Sequence, residues 1–306
     1  MIDRLGGFDR ADVQAALAAG TLALHLGPFS MGLRADRMAV MPFLMDLYRD
    51  VPASLEAGVL TDVALCLRAP NAFRRFVRPQ VLPDPGFETP AIPLPLYMSG
   101  LAMEMGFNLA VALKIFRFTI VHGGVVADEK GGILISAASG GGKSTLTAAL
   151  MQQGFRLFSD EFAIISDDAE LVPYPRPVSL KNQSIDLVRQ MAGAGEVSAT
   201  IAGTPKGRIA YRRARLSDIK AAQKRARPKL ILFPNFQKNA APEVSKLEPA
   251  DAMMRLITSS TNYRVSGETG FKAFTSMVQS APAYEITYGT LEESVKLVQS
   301  LWERPV

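Results

Sequence analysis

The chain has 306 residues, of which 48% are hydrophobic, 21% charged and 8% aromatic, a globular composition that excludes intrinsic disorder and collagen-like repeats. A single cysteine, Cys66, excludes an internal disulfide. With only His25 and His122 beside it, a closed Cys/His zinc site lacks its four ligands, and a reducing, cytoplasmic setting is the expectation.

The net charge of +5 is unevenly spread. Ten basic residues and one acid, Asp218, lie between Lys206 and Lys229, so that segment carries +9 and the remainder −4. Such an excess fits either a phosphate-bearing or acidic partner or a solvated helix face. Aromatic interleaving does not accompany it, so no specific nucleic-acid partner is expected. The length itself suggests two domains.

The N-terminus, Met1 to Arg10, lacks the basic-then-apolar order of a signal peptide. Residues 21–34 are rich in strand formers around Gly27-Pro28, as in a hairpin. A helix is expected over 37–50, a half-buried strand over 61–68, and a basic extended segment over 73–82. The stretch 83–95 holds five prolines and reads as a linker. The domains expected are therefore 1–90, a smaller α+β unit, and 91–306. The apolar run from Leu94 to Ile120 is interrupted by Glu104, Asn108, Lys114 and Arg117. It reads as a buried helix near 95–116, and no membrane span is expected.

A strand is expected over 120–126, a turn over 128–131 and an apolar strand over 133–136. The most informative stretch follows, Ala137-Ala-Ser-Gly-Gly-Gly-Lys-Ser-Thr145. After it come a helix to Gln153 with Gly154 as its stop, a strand over 155–158, and Ser159-Asp160-Glu161. Strands over 162–166 and 171–175 flank Asp167-Asp168 as a hairpin. A buried strand over 230–233, a helix from Pro249, a strand over 284–288 and a last helix opened by Thr290-Leu-Glu-Glu293, a capping box, complete the chain.

A strand, a glycine-rich loop, Lys-Ser/Thr and a helix make the P-loop arrangement. Ser139, Gly140, Gly141 and Gly142 would let backbone N–H groups converge on an anion at the positive end of the helix. Lys143 would reach the β and γ phosphates of a nucleotide, Ser144 would give its hydroxyl to Mg²⁺, and Thr145 would follow in the first helical turn. Alanine stands at 137, where the P-loop pattern has its first glycine. Asp160 and Glu161 lie at the end of the next strand, where a parallel α/β sheet forms its ligand crevice. One carboxylate there can hold Mg²⁺, and a second can accept a proton from an attacking hydroxyl.

His122-Gly123, Ser139-Gly-Gly-Gly-Lys-Ser144 and Arg156-Leu-Phe-Ser-Asp-Glu161 together resemble the C-terminal domain of HPr kinase/phosphorylase. The likeness covers about 120–166. The whole chain further resembles the HPr-kinase-related proteins of bacterial peptide and surface-polymer gene clusters, through Phe76-Val-Arg-Pro-Gln80, Pro175-Arg-Pro-Val-Ser-Leu-Lys181 and Thr204-Pro-Lys-Gly207.

The resemblance implies an α/β, P-loop kinase-like C-terminal domain that transfers a phosphoryl group from ATP, with Mg²⁺, to a serine hydroxyl. The acceptor would be a peptide, a protein or a related small hydroxyl compound. By motif position Asp160 would be the general base, Glu161 would assist Mg²⁺, and His122 would lie beside the phosphates. HPr kinases assemble as rings, which leaves a homo-oligomer open. The family's later E-x-R-G-x-G-I signature is absent after Leu171, so HPr itself and the reverse reaction are not expected. Arg176, Lys181, Lys206 and Arg208 stand in that region as candidates to clamp phosphates or an acidic substrate. A nucleotide-binding regulator or biosynthesis accessory without phosphoryl transfer is the alternative reading.

Overall fold

The computed structural model describes residues 2–87, 91–138 and 140–304, a mixed α/β structure whose chain divides into two units, Met1–Ile115 and Phe116–Val306. The first unit contains β1 (Asp3–Arg4), α1 (Arg10–Ala19), β2 (Leu22–Leu26), β3 (Phe29–Ala35), α2 (Met41–Leu47), β4 (Pro52–Ser54), β5 (Val63–Arg68), α3 (Ala72–Phe76), β6 (Gln80–Asp84), β7 (Leu94–Pro95) and α4 (Ser99–Lys114). Among the described residues its strands form one sheet in the order β1-β4-β2-β3-β5-β6-β7. The expected hairpin is β2–β3, with Leu26 paired to Phe29 across the Gly27-Pro28 turn.

The expected division at 90/91 moves to 115/116, because α4 packs against β5 and β6 of the first unit. By length and apolarity Leu96–Lys114 could cross a membrane. Here Ala102, Met103, Phe107, Ala110 and Val111 of this helix are fully buried. Its buried Glu104 accepts a hydrogen bond from the Tyr48 hydroxyl. Part of the proposed linker is also structured: β6 pairs with both β5 and β7, while 88–90 lie outside the described residues. The segment 73–82 is not extended throughout. Asn71 caps α3 by accepting from the Arg74 amide at 2.8 Å, which favours a helical turn there.

The second unit contains β8 (Thr119–His122), β9 (Gly124–Asp128), β10 (Gly131–Ile135), α5 (Lys143–Gln152), β11 (Arg156–Ser159), β12 (Phe162–Ile165), β13 (Leu171–Val172), β14 (Val178–Lys181), α6 (Gln183–Ala192), β15 (Ile201–Thr204), β16 (Gly207–Arg212), α7 (Leu216–Lys220), β17 (Pro228–Phe236), β18 (Glu243–Leu247), α8 (Pro249–Ser259), α9 (Tyr263–Ser280), β19 (Ala283–Tyr288) and α10 (Leu291–Trp302). The central sheet runs β11-β9-β10-β17-β19-β18. It is mixed rather than parallel. β10, β17 and β19 are parallel neighbours, whereas β9 is antiparallel to both β10 and β11. The C-terminal ends of β10, β11, β17 and β19 consequently share one edge.

Alternate residues of the strands serve opposite faces. Val126, Ile133, Ile135 and Leu232 pack with α5 and α10. Val125, Ala127, Leu134 and Ile231 pack with α8 and α9. The inner strands β9, β10 and β17 are thus buried on both faces, which is why their middles read as continuous apolar runs.

The expected strand 120–126 is two strands. β8 pairs with β12 in a small sheet ordered β13-β12-β8, while β9 pairs with β11 in the central one. Two antiparallel chain segments, 119–128 and 156–165, therefore leave one sheet for the other at the same place. The Gly123 amide donates to the Glu161 carbonyl at 3.1 Å across this shared bend.

Two arginines of the basic segment, Arg212 and Arg215, fasten α5 to its surroundings. Arg212, 1% exposed, donates to the Ala148 carbonyl at 2.6 Å and pairs with Glu196 at 3.0 Å. Arg215 donates to the Met151 carbonyl at 2.9 Å and pairs with buried Asp218 at 3.0 Å. The Met151 carbonyl is among the last four of α5, which have few intrahelical donors. Arg212→Ala should lower the unfolding free energy by about 3 kcal/mol, from a lost charged hydrogen bond and lost packing of the side-chain stem. Exposed Lys224→Ala should change it by about 0.5 kcal/mol or less. Urea unfolding of the two variants checks the contrast.

Candidate functional site

The site grows from the shared bend. β10 ends at Ile135, and the loop that follows turns into α5 at Lys143. Gly142, the last loop residue, has φ +92°, a region that penalises any Cβ. A Cβ there would also strike the Tyr288 hydroxyl. Gly124, just past the bend, lies where a Cβ would come within 2.6 Å of Thr147 Oγ1 on α5. Small residues at these points let the bent strand pass close beneath the helix. Gly140 and Gly141 belong to the same loop, Ser144 and Thr145 to the first turn of α5, and Ser139 lies outside the described residues.

His122, Lys143, Asp160 and Glu161 come together around this loop. Lys143 is buried, and its Nζ lies 2.8 Å from His122 Nε2. Burial pushes the Lys143 pKa down, opposed by the carboxylates of Asp160 and Glu161. His122 is also lowered, first by burial and then by the Lys143 charge, with Glu161 opposing. A neutral His122 that accepts from Lys143 at Nε2 carries its proton on Nδ1. That nitrogen faces Glu161 Oε1 at 3.8 Å.

The two acids differ sharply. Asp160 is 3% exposed. Its Oδ2 accepts from the Ser179 amide at 3.0 Å, and its Oδ1 is buried with no partner. Burial, then the neighbouring Glu161, pushes its pKa up to about 6, while Lys143, the Ser179 amide and the Ser144 hydroxyl pull it down. Glu161 keeps about a third of its side chain open, 36%. An orphaned carboxylate oxygen beside Ser144 suits a cation. Mg²⁺ asks only one or two carboxylates of the protein and takes its other ligands from waters and phosphates. The lack of a cluster of three or more acidic, His or Cys ligands among the described residues is compatible with that.

The four basic candidates separate. Lys181, at the exposed end of β14, adds a positive field that lowers both His122 and Lys143. Arg176 is 5% exposed and engages Tyr174, with its guanidinium 5.4 Å from the ring centre and Nη1 donating to the hydroxyl at 3.2 Å. Arg208 is held by Asp186 at 2.9 Å. Lys206 sits in the turn between β15 and β16, where its carbonyl accepts from Asn182 Nδ2 at 3.3 Å. Their contacts tie Lys206 and Arg208 to α6 and its N-terminal cap, and only Lys181 is electrically coupled to the loop lysine.

A cleft of about 850 Å³ opens beside His122, between the loop and the C-terminal turn of α8. Ser136, Ala138, Pro234, Arg255 and Thr258 line it. The Ser179 amide, Tyr288 and this cleft carry no signal in the sequence. Each reaches the loop from a distant part of the chain.

No family model and no curated protein matches the chain. Among solved structures, it is similar to the Hpr(Ser) kinase/phosphatase from Coxiella burnetii at 15% identity and a TM-score of 0.26, over 60% of this chain and 93% of that one.

Asp160 has a measurable consequence for stability. Its folded pKa lies above its unfolded one, so its charged form costs the folded state. The cost is absent below about pH 4, grows between about pH 4 and 6, and is complete above. A rise to about 6 corresponds to about 3 kcal/mol. Asp160→Asn should therefore stabilise the ligand-free protein by up to about that amount at pH 8 and by nothing at pH 4. Urea unfolding at both pH values checks it, and destabilisation at pH 8 would contradict it.

Proposed function

We propose that this chain is a P-loop phosphotransferase that moves the γ-phosphoryl group of ATP, with Mg²⁺, to a hydroxyl acceptor. The acceptor class is a serine of a peptide or protein, or a related small hydroxyl compound. The observation that carries the reading is the pairing of unlike acids at one glycine loop. A buried carboxylate with an orphaned oxygen lies beside Ser144, and an accessible one lies beside His122.

Loop amides and Lys143 would bind the phosphates, with the lysine exchanging His122 for the ligand's negative charge. Ser144 and Asp160 would hold Mg²⁺. When bound, the ion neutralises charge on the transferring group. Glu161 would take the acceptor's proton, with His122 Nδ1 3.8 Å from that carboxylate. The acceptor oxygen then bonds to the γ-phosphorus. The bond from that phosphorus to the bridging oxygen breaks, and ADP leaves with the electron pair.

This reverses the division of roles expected from motif position. A base must reach the acceptor hydroxyl, and Asp160, at 3% exposure, is enclosed where Glu161 is open. The cleft beside His122 offers an acceptor its approach.

The test uses γ-labelled ATP with peptide, protein and small-hydroxyl acceptors. Lys143→Ala should lose ATP affinity while folding normally. Glu161→Gln should bind ATP as the wild type does and transfer about 10²–10⁴-fold more slowly. If Glu161→Gln transfers at the wild-type rate, the base assignment fails. If the wild type binds ATP and phosphorylates nothing, the regulator reading replaces this one.

A further inference from the structure

The nucleotide reading leaves one neighbour of the loop unused. Phe236 ends β17 with 42% of its surface exposed, a large aromatic ring at the end of a strand whose middle, Leu230 to Pro234, is buried. Its backbone amide donates to the Gly141 carbonyl at 3.3 Å. Its Cβ lies 3.3 Å from where a Cβ on Gly142 would stand. The ring is backed by buried Tyr288, with centroids 5.9 Å apart and planes at 51°. It is therefore fixed to the glycine loop on one side and supported from behind, with its remaining surface open.

Sheet order places this ring opposite the acids. β11, which delivers Asp160 and Glu161, lies two strands to one side of β10, and β17 lies next to β10 on the other. Three strand spacings separate β11 from β17, about 14 Å. The acids themselves lie past the end of β11, turned toward Lys143 and Ser144, so a ligand whose terminal phosphate meets them and whose body reaches Phe236 would cross the glycine loop. Beyond the ring the chain carries Gln237, Lys238 and Asn239, all exposed. The turn is closed by the Ala240 amide donating to the Gln237 carbonyl at 2.9 Å, and is anchored by the Gln237 amide donating to the Tyr288 carbonyl at 3.0 Å. An exposed aromatic face, followed in the chain by an exposed turn that carries the side-chain amides of Gln237 and Asn239, matches a heterocyclic base, which has a π-face for stacking and donors and acceptors at its rim.

We propose that Phe236, with the amide-bearing turn Gln237–Asn239, is the platform on which the base of the bound nucleotide stacks. This rests on the nucleotide reading above and adds a recognition element distinct from the phosphate-binding loop. Stacking of this kind is worth about 10–100-fold in affinity.

Calorimetry with a non-hydrolysable ATP analogue and with inorganic tripolyphosphate, both with Mg²⁺, separates base from phosphates. Phe236→Ala should weaken the analogue by about 10–100-fold and leave tripolyphosphate unchanged. Phe236→Trp should restore the analogue, which a merely structural role would not require. Equal losses for both ligands, or no loss for either, overturn the platform. If the wild type binds tripolyphosphate no less tightly than the analogue, the platform fails while the anion loop stands. If it binds neither, the nucleotide reading fails and the platform with it.

Discussion

Two chain segments, 119–128 and 156–165, run antiparallel and change sheets together, and the Gly123 amide to Glu161 carbonyl bond crosses the point where they bend. A strand that continued straight would carry His122 and the acids along the central sheet. The bend instead turns them out at the edge where β10 ends and α5 begins. Gly124 admits the helix, since any side chain would meet Thr147. Lys143 then finds His122 at 2.8 Å, and Asp160 is sealed under β14 by the Ser179 amide. Loop, lysine, histidine and both acids are positioned by this one geometric constraint.

That arrangement concentrates unfavourable terms. A buried lysine and a buried carboxylate are each desolvated, and each is pushed toward its neutral form. Their mutual attraction offsets the cost only in part, and Asp160 Oδ1 is left without a partner. Protein interiors seldom leave buried polar atoms unmatched. The cost is offset elsewhere in the unit, by a central sheet covered by apolar helices on both faces. The arginines behind α5 contribute as well. Arg212 and Arg215 hold the far end of the helix whose first turn forms the loop. Among the described residues, neither arginine contacts the loop itself.

The basic segment shows how a single composition signal divides in three dimensions. Its +9 charge is not one surface. Arg212 is buried in a clasp, Arg215 is half-buried in another, Arg208 is paired with Asp186, and Lys224 remains open to solvent. Charge counted along a chain cannot distinguish a guanidinium that binds a partner from one that binds a helix end. Both need a planar cation with several donors.

The amino-acid sequence by itself determined the local units. Gly140-Gly-Gly-Lys-Ser144 dictated the loop and the start of α5, because the positive φ at 142 favours glycine there. Capping at Thr290 and Glu293 dictated α10, and alternating apolar residues dictated β5. The gathering of His122, Lys143, Asp160 and Glu161 was legible only as three motifs in a row. Tertiary structure decided the rest. It divided the strand at His122-Gly123-Gly124 between two sheets, moved the boundary from 90/91 to 115/116 by packing α4 on β5 and β6, and separated adjacent Asp160 and Glu161 into an enclosed and an open acid. The reason is that torsional and capping preferences act over a few residues. Burial depends on which distant segments arrive: β14 over Asp160, Tyr288 against Gly142, Glu196 and Ala148 around Arg212. No local pattern encodes those arrivals.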